Sequence, residues 1–358
     1  MTRTAERATA GLLALLAAAS LAGSGAGAAA SPPLAKLVGQ TLMGGMDGTT
    51  PSADLLARIR RGELGGVIIF GGNITTPAAL KATISQLQAA AKAGGNPPLL
   101  IATDQEGGEV KRFPAGPPAT SAETMGATLG AAAVRRQGRA TGAYLRARGV
   151  DVDLAPVLDI GDASSSFLGS RIFSSDPATT AKLGSAFATG LQASGIAATG
   201  KHFPGLGTAP GNTDLAVVVV PTSKAALERR LVSFRAATRA GVKLVMVSNA
   251  EYPALDPSRL PAALSPAIVT GILRKQVGFG GVVITDTMTA PAIARYPDAA
   301  VRALRAGDDV LLYSDSESLS KQAFGVLMHA ARSHELDRAT LLAAYQRVEK
   351  LKAWLPAH

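Results

Sequence analysis

Short apolar runs recur along the chain, and each is followed by a loop and then by residues spaced as in an amphipathic helix. Such runs, bounded by turn residues and alternating with helices, are typical of buried parallel strands. The pattern predicts eight βα units, with strands at Gln40–Gly44, Gly66–Phe70, Leu99–Thr103, Val150–Pro156, Ile196–Phe203, Lys243–Asn249, Gly281–Asp286 and Asp309–Tyr313.

Helix start signals support this division. Three predicted helices open with an N-capping residue followed by proline: Thr76-Pro77, Asp176-Pro177 and Ser265-Pro266. Glycines follow the second and third helices, and a last helical stretch over residues 339–355 ends the chain. Eight units favour an α/β fold of the closed (β/α)8 TIM type in a single domain. An open doubly wound sheet is disfavoured because no glycine-rich nucleotide fingerprint follows the first strand.

The first thirty residues have the layout of a secretory signal peptide. Arg3 and Arg7 precede an apolar run, and small residues end at Ala28-Ala29-Ala30. The alternative is an uncleaved membrane anchor, but the run is shorter than the ~20 residues that a spanning helix needs. We therefore predict a signal peptide over residues 1–30, a barrel domain over residues 31–358, and a secreted or cell-envelope protein without a stable membrane span after cleavage.

Composition and charge narrow the classes of partner. A hydrophobic content of 47% and a charged content of 17% are those of a globular protein with a large core. The net charge is +10, and the basic residues lie mostly in predicted helices, without aromatic interleaving or a nucleic-acid motif. These arginines indicate solvated outer faces, or weaker attraction to an anionic envelope, and no nucleic-acid partner is expected.

Polar residues gather where the predicted strands end. In a barrel of this kind the strand ends meet at one rim, which is where catalytic residues lie. The four His residues show no metal-ligand spacing and Cys is absent, so neither a metal nor an organic cofactor is expected. A small-molecule site is predicted from Asp104, Glu106, Asp159, Lys201, His202, Asn249, Glu251 and Asp286.

Several of these segments resemble one enzyme family. Asp104-Gln105-Glu106-Gly107-Gly108-Glu109-Val110-Lys111-Arg112 is similar to the DQEGGxVxR segment of family-3 glycoside hydrolases of the single-domain β-N-acetylglucosaminidase type. Lys201-His202-Phe203-Pro204-Gly205 matches their KHFPG segment, and the run ending at Asp286 looks like the strand that presents their nucleophile. The resemblance extends, in order, from about Leu37 to the C-terminus.

This resemblance implies a retaining hydrolase acting on terminal β-linked N-acetylglucosamine, with peptidoglycan fragments as a source. Asp286 would attack the anomeric carbon and form a glycosyl-enzyme, which water then hydrolyses. The sugar hydroxyls would be held by Asp104, Arg112, Arg171, Lys201 and His202. The partner is then a carbohydrate, and we expect a monomer.

Each of these side chains also has a structural interpretation. Asp286 is also compatible with a helix N-cap, Lys201 with a surface lysine, and His202 with a hydrogen-bonded core histidine. Arg112 and Arg171 are compatible with pairing to local carboxylates. Glu106 and Asp159 are compatible with bracing the rim.

The sequence departs from the family at the acid/base loop. In the single-domain members this loop reads KHFPGHG, four residues, then Asp-Ser-His, and the final His is the acid/base. Here Leu206 replaces the second His of KHFPGHG, Asn212 falls on the Asp, and Asp214 falls on the catalytic His. Asp214 with a raised pKa is one replacement; His202 and Glu251 are others.

Two other function classes stay open at this point. A catalytically impaired member would act as a cell-wall sugar-binding protein. Lys201 at a strand end would alternatively allow a Schiff base, as in barrel aldolases.

Overall fold

The computed structural model describes residues 32–356, so the predicted signal peptide lies outside the described residues. Neighbouring strands run parallel and follow one another in chain order around a closed barrel, in which Leu42 of the first strand pairs with Leu311 of the last. The single-domain (β/α)8 prediction is therefore confirmed. The strands are β1 Leu42–Gly44, β2 Gly66–Ile68, β3 Leu100–Thr103, β4 Val152–Asp153, β5 Ala197–Phe203, β6 Leu244–Val247, β7 Val282–Thr287 and β8 Val310–Tyr313.

Helices surround the barrel. Within residues 32–356, no helix combines the length and the apolar character needed to cross a membrane. The helices are α1 Leu34–Gly39, α2 Ala53–Arg60, α3 Pro77–Ala93, α4 Ala122–Thr128, α5 Ala131–Arg146, α6 Pro177–Gln192, α7 Lys224–Arg230, α8 Val232–Arg239, α9 Pro291–Ala294, α10 Ala299–Ala306, α11 Glu317–Arg332 and α12 Arg338–Trp354, together with a π-helix over Ala267–Gln276.

The predicted helix starts are found, with one difference in type. The Thr76 and Asp176 side chains accept the N–H groups of Ala79 and Thr179, which caps α3 and α6. Ser265 accepts the N–H of Ile268 in the same way, but the helix that follows is a π-helix. The spacing of apolar residues does not distinguish this wider turn from an α-helix.

Strand residues alternate between two apolar layers. Val67, Ile101, Val245 and Val283 point outward and pack under the helices. Their neighbours point inward and fill the barrel, including Met43, Ile68, Leu100, Ala102, Val152, Leu244, Met246, Val282, Ile284 and Leu312. Burial of each such side chain contributes about 1.5–3 kcal/mol, so both layers stabilise the strands that carry the site.

The amino-terminal end of the barrel is covered by α12. Val348 and Leu351 of this helix belong to the apolar cluster inside the barrel. Asp309, at the start of β8, accepts from Arg347 Nε at 2.7 Å and from Arg274 Nη2 at 2.6 Å, which ties α12 and the π-helix to this strand. The carboxyl ends of the strands are left to form the site.

Candidate active site

A cavity of about 190 Å³ opens at the carboxyl ends of the strands. Its walls include both predicted catalytic residues and all five predicted sugar-binding residues. The structure thus brings together Asp104, Arg112, Arg171, Lys201, His202, Asp214 and Asp286, which are up to 182 positions apart in the sequence (286 − 104).

One wall of the cavity is a cluster of paired charges around Lys201. Lys201 Nζ lies 2.9 Å from Asp104 Oδ1 and 2.8 Å from Glu106 Oε1. Arg171 donates through Nε and Nη2 to both oxygens of Glu106, each at 2.8 Å. Arg112 Nη2 donates to Asp104 Oδ2 at 3.1 Å. The two arginines therefore do pair with local carboxylates, and those carboxylates belong to the site itself.

The charges of this cluster keep one another ionised. Burial would raise the pKa of Asp104 and of Glu106, but Lys201 beside both carboxylates reverses the effect and holds each pKa below its usual range. Burial similarly opposes the charge on Lys201, yet the two carboxylates raise its pKa above the usual value. Lys201 stays an ammonium at neutral pH, which argues against Schiff-base chemistry because that reaction needs the neutral amine.

A short hairpin places Glu106 and Arg112 on this wall. It pairs Gln105–Gly107 with Val110–Lys111 and was not predicted from the sequence. Gly107 has a φ of 102°, and a Cβ there would lie 2.4 Å from the carbonyl oxygen of Thr120, so glycine is required. The turn aims the Arg112 guanidinium over the Phe70 ring at 5.0 Å.

His202 is oriented by Asp159. Its Nδ1 lies 2.7 Å from Asp159 Oδ2, and its backbone N–H donates to the same oxygen at 3.1 Å. The other carboxylate oxygen accepts the N–H of Leu206, so Asp159 also fixes the start of the loop after β5. His202 Nε2 lies on the cavity side, 3.5 Å from Arg171 Nη2. His202 is therefore a cavity residue as well as a hydrogen-bonded one, and Asp159 braces it.

Asp286 lies near the end of β7 with its carboxylate on the cavity wall. Its Oδ1 accepts the N–H of Thr287 at 2.8 Å. The next helix begins at Pro291 after Ala290, so Asp286 does not serve as its N-cap. In the part of the chain that the structure describes, the Asp286 carboxylate forms no ion pair, in contrast to Asp104 and Glu106.

Asp214 lies on the cavity wall, on the loop after β5. The Asn212 side chain accepts the Asp214 N–H at 2.9 Å and shapes the turn. The Asp214 side chain reaches solvent, yet the surrounding walls and the negative charge of Asp286 raise its pKa above the usual value. Burial is the larger of these two causes. A carboxyl group with a raised pKa is what a general acid requires.

The other candidate acids are placed differently. Glu251 pairs with Arg295 at 2.6 Å and is not on the cavity wall. Leu206, at the position of the expected His, is buried and supplies only apolar surface and its backbone N–H.

Asp153 was not predicted from the sequence as a site residue. It is buried at the end of β4, and its Oδ1 accepts the N–H of Gln105 at 2.9 Å, which supports the hairpin. Burial, together with the charges of Asp104 and Glu106, raises its pKa well above the usual value. This shift disfavours a third negative charge next to Asp104 and Glu106. The position of this charged residue inside the apolar run Val150–Pro156 could have marked it as a candidate.

Across residues 32–356, no group of three or more His, Asp or Glu side chains is arranged to hold a metal ion.

Known proteins were compared with this chain. The sequence model of the glycosyl hydrolase family 3 N-terminal domain matches residues 34–351. A β-hexosaminidase of Nitrosomonas eutropha is 36% identical over 289 residues, which cover 77% of this chain and 81% of that protein. An Arthroderma benhamiae protein described as an uncharacterized secreted glycosyl hydrolase is 34% identical over 90% of this chain and 94% of its own length.

Solved structures give the same result. The β-N-acetylhexosaminidase of Beutenbergia cavernae aligns with a TM-score of 0.84 and 35% identity, covering 90% of this chain and 99% of that one. The family 3 β-N-acetylglucosaminidase of Paenibacillus sp. FPU-7 aligns with a TM-score of 0.87 and 33% identity; the alignment covers 90% of this chain and 63% of that longer one. The chain belongs to glycosyl hydrolase family 3 and is a glycoside hydrolase of the β-N-acetylhexosaminidase-like type.

Proposed function

We propose that this chain is a retaining hydrolase of terminal β-linked N-acetylglucosamine, with Asp286 as nucleophile and Asp214 as general acid and base. The proposal is carried by the Asp286 carboxylate, which lines the cavity and forms no ion pair among the described residues, whereas Lys201, Asp104 and Glu106 are paired with one another. Relatives named β-hexosaminidase and β-N-acetylglucosaminidase support the choice of sugar.

The reaction would proceed in two displacements. A carboxylate oxygen of Asp286 attacks the anomeric carbon while the bond to the leaving oxygen breaks, and Asp214 gives its proton to that oxygen. Water then attacks the anomeric carbon of the glycosyl-enzyme, Asp214 accepts a proton from this water, and Asp286 is released. The raised pKa of Asp214 supports the first step, and its solvent exposure allows water to reach it in the second.

The paired charges would position the sugar ring. Asp104 would accept hydrogen bonds from ring hydroxyls, and Lys201 would donate to them. The other cavity residues that could contact the sugar are Arg112, Arg171 and His202. Because their geometry is fixed by pairing, these groups need little reorganisation when the sugar binds. A cavity of about 190 Å³ fits action on a terminal sugar.

The nucleophile is tested with 4-nitrophenyl N-acetyl-β-glucosaminide. We expect the native protein to release nitrophenol and Asp286→Ala to lose this activity. Mass spectrometry after incubation with a slow 2-fluoro glycosyl substrate should locate the label on Asp286. Asp54→Ala is the matched control, because Asp54 forms an exposed ion pair with Lys321 and does not line the cavity. Label on another residue would refute the assignment.

A second candidate function is sugar binding without turnover. Its support is the loop itself, where Asn212-Thr213-Asp214 stands in place of Asp-Ser-His. Calorimetry with N-acetylglucosamine and a nitrophenol assay on one preparation separate the two candidates. Binding with no turnover above the Asp286→Ala level would favour this second function.

We also propose that the protein is exported and acts on peptidoglycan fragments. Residues 1–30 support export, and one relative is described as secreted. N-terminal sequencing of the exported protein should begin at residue 31, and N-acetylglucosamine should be released from purified muropeptides. A mature protein that still begins at residue 1 would contradict cleavage.

A further inference from the structure

A second cavity lies at the opposite end of the barrel from the active site. It has a volume of about 640 Å³, within the usual range of small-molecule sites. We call it the lower cavity. Its wall comprises Gln88, Ala89 and Lys92 of α3, residues 95–100 without Pro97, Asp151 before β4, and Lys352, Leu355 and Pro356 at the end of α12.

The lower cavity is mostly apolar but contains one lysine in an unusual setting. Lys352 lies on the wall, and its Nζ donates a hydrogen bond to Gln40 Oε1. Burial lowers the pKa of Lys352 to about 8, although the charges of Glu349 and Asp151 act in the opposite direction. An ammonium has three N–H donors, so Lys352 has donors left for a ligand.

The wall of the lower cavity carries more positive than negative charges. Lys92 adds a second cation at the rim, and Lys36 donates to the carbonyl of Gly95, which is part of the wall. The carboxylate on the wall, Asp151, already accepts the N–H of Ile101 at 2.9 Å. An anionic group beside Lys352 would offset the loss of water around the ammonium.

We propose that the lower cavity binds a small amphipathic anion, with an apolar chain against Leu99, Leu100 and Leu355 and a carboxylate paired with Lys352. The two amide side chains on the wall, Gln88 and Asn96, already bond to backbone groups, so the wall suits an apolar chain better than a polyhydroxylated molecule. The inference is independent of the glycosidase mechanism, because none of these residues lines the active site.

Decanoate is the probe, and isothermal titration calorimetry on the full-length protein is the measurement. We expect saturable binding of one decanoate, at least tenfold weaker binding of decanol, and no binding of decylammonium. Lys352→Met keeps the length of the side chain but removes the charge, and it should weaken decanoate binding at least tenfold. Lys350→Met is the matched control on the exposed side of α12 and should bind decanoate as the native protein does.

A second variant, in which a larger side chain fills the cavity, keeps the proposal testable if Lys352→Met does not fold. Ala89 lies on the wall at the exposed rim, so Ala89→Trp should occupy the cavity without disturbing the core, and decanoate binding should be lost. Circular dichroism should show each variant folded. Absence of saturable decanoate binding to the native protein, or equal affinities for native and Lys352→Met, would overturn the proposal.

Discussion

Replacing Lys201 with Met tests whether the charge cluster is held together by this lysine. Lys201 is 3% exposed, and it lies 2.9 Å and 2.8 Å from the carboxylates of Asp104 and Glu106. Met has a similar length and shape, so the substitution leaves little empty space. Its main effect is to leave two buried carboxylates without their shared cation.

The magnitude follows from the partners that remain. Removing one member of a buried ion pair typically costs about 3–5 kcal/mol. Arg171 would still donate two hydrogen bonds to Glu106, and Arg112 one to Asp104. We therefore expect the lower part of that range, roughly 3–4 kcal/mol, which corresponds to a fall in Tm of about 6–8 °C at roughly 2 °C per kcal/mol for a large domain.

The loss should depend on pH with a defined sign. In the native protein the pKa values of Asp104 and Glu106 are depressed, so their pairing stabilises the fold above the unfolded pKa of about 4 and is lost as the pH falls through the folded values. In Lys201→Met, burial and mutual repulsion would raise both pKa values instead. Protonation of the two carboxylates between pH 7 and pH 5 would then reduce this penalty. The difference in Tm between the native protein and Lys201→Met should therefore narrow.

Differential scanning calorimetry at pH 7, 6 and 5 measures this, with Lys350→Met as the control for an exposed lysine. A Tm within 2 °C of the native value at pH 7, or a difference that widens on acidification, would refute the reasoning. Activity should be lost at every pH because the sugar-binding geometry depends on the same pairs.

Three further predictions concern the acid, the cation cluster and the fold. Because the pKa of Asp214 is raised, kcat/KM for an alkyl N-acetyl-β-glucosaminide should fall as the pH rises through that pKa. Asp214→Asn should lower the rate by about 10²–10⁴-fold and should abolish this fall at high pH. A variant whose pH profile keeps the fall would exclude Asp214 as the general acid. Arg171→Lys loses the two-bond pairing with Glu106, and we expect kcat/KM about tenfold lower with Tm changed little; unchanged kinetics would contradict a substrate-orienting role. Thr76→Ala removes the cap of α3 and should lower the free energy of unfolding in urea by about 1 kcal/mol without changing kcat, whereas Thr75→Ala should change neither, and equal losses in the two variants would count against capping.

The barrel was predictable because its strands are short buried runs separated by clear helix starts. The run Lys243–Asn249, for example, contains β6 at Leu244–Val247, and the stretch over residues 339–355 contains most of α12. The hairpin after β3 was not predicted, because its two strands are polar and only two or three residues long. Its turn is required by close contacts of Gly107, which depend on the tertiary structure.

Strand-end positions and family motifs predicted the candidate residues that share the cavity, but they did not predict how these residues pair. Glu106 and Arg171 are 65 positions apart, and nothing local in the sequence selects Arg171 over another arginine as the partner of Glu106. A raised pKa of Asp214 was anticipated as a requirement for an acid, whereas its cause, burial together with the nearby charge of Asp286, depends on the tertiary structure. Asp153 was overlooked because it lies inside an apolar run.

The pairing of β8 with β1 also constrains when the molecule is able to fold. The two strands that meet at Leu42 and Leu311 come from opposite ends of the described chain, so the sheet has two unpaired edges until almost all of it has been synthesised. Contacts of such large sequence separation form late and slowly. A truncation before β8 would therefore leave both edges of the sheet unpaired and open to association with other chains.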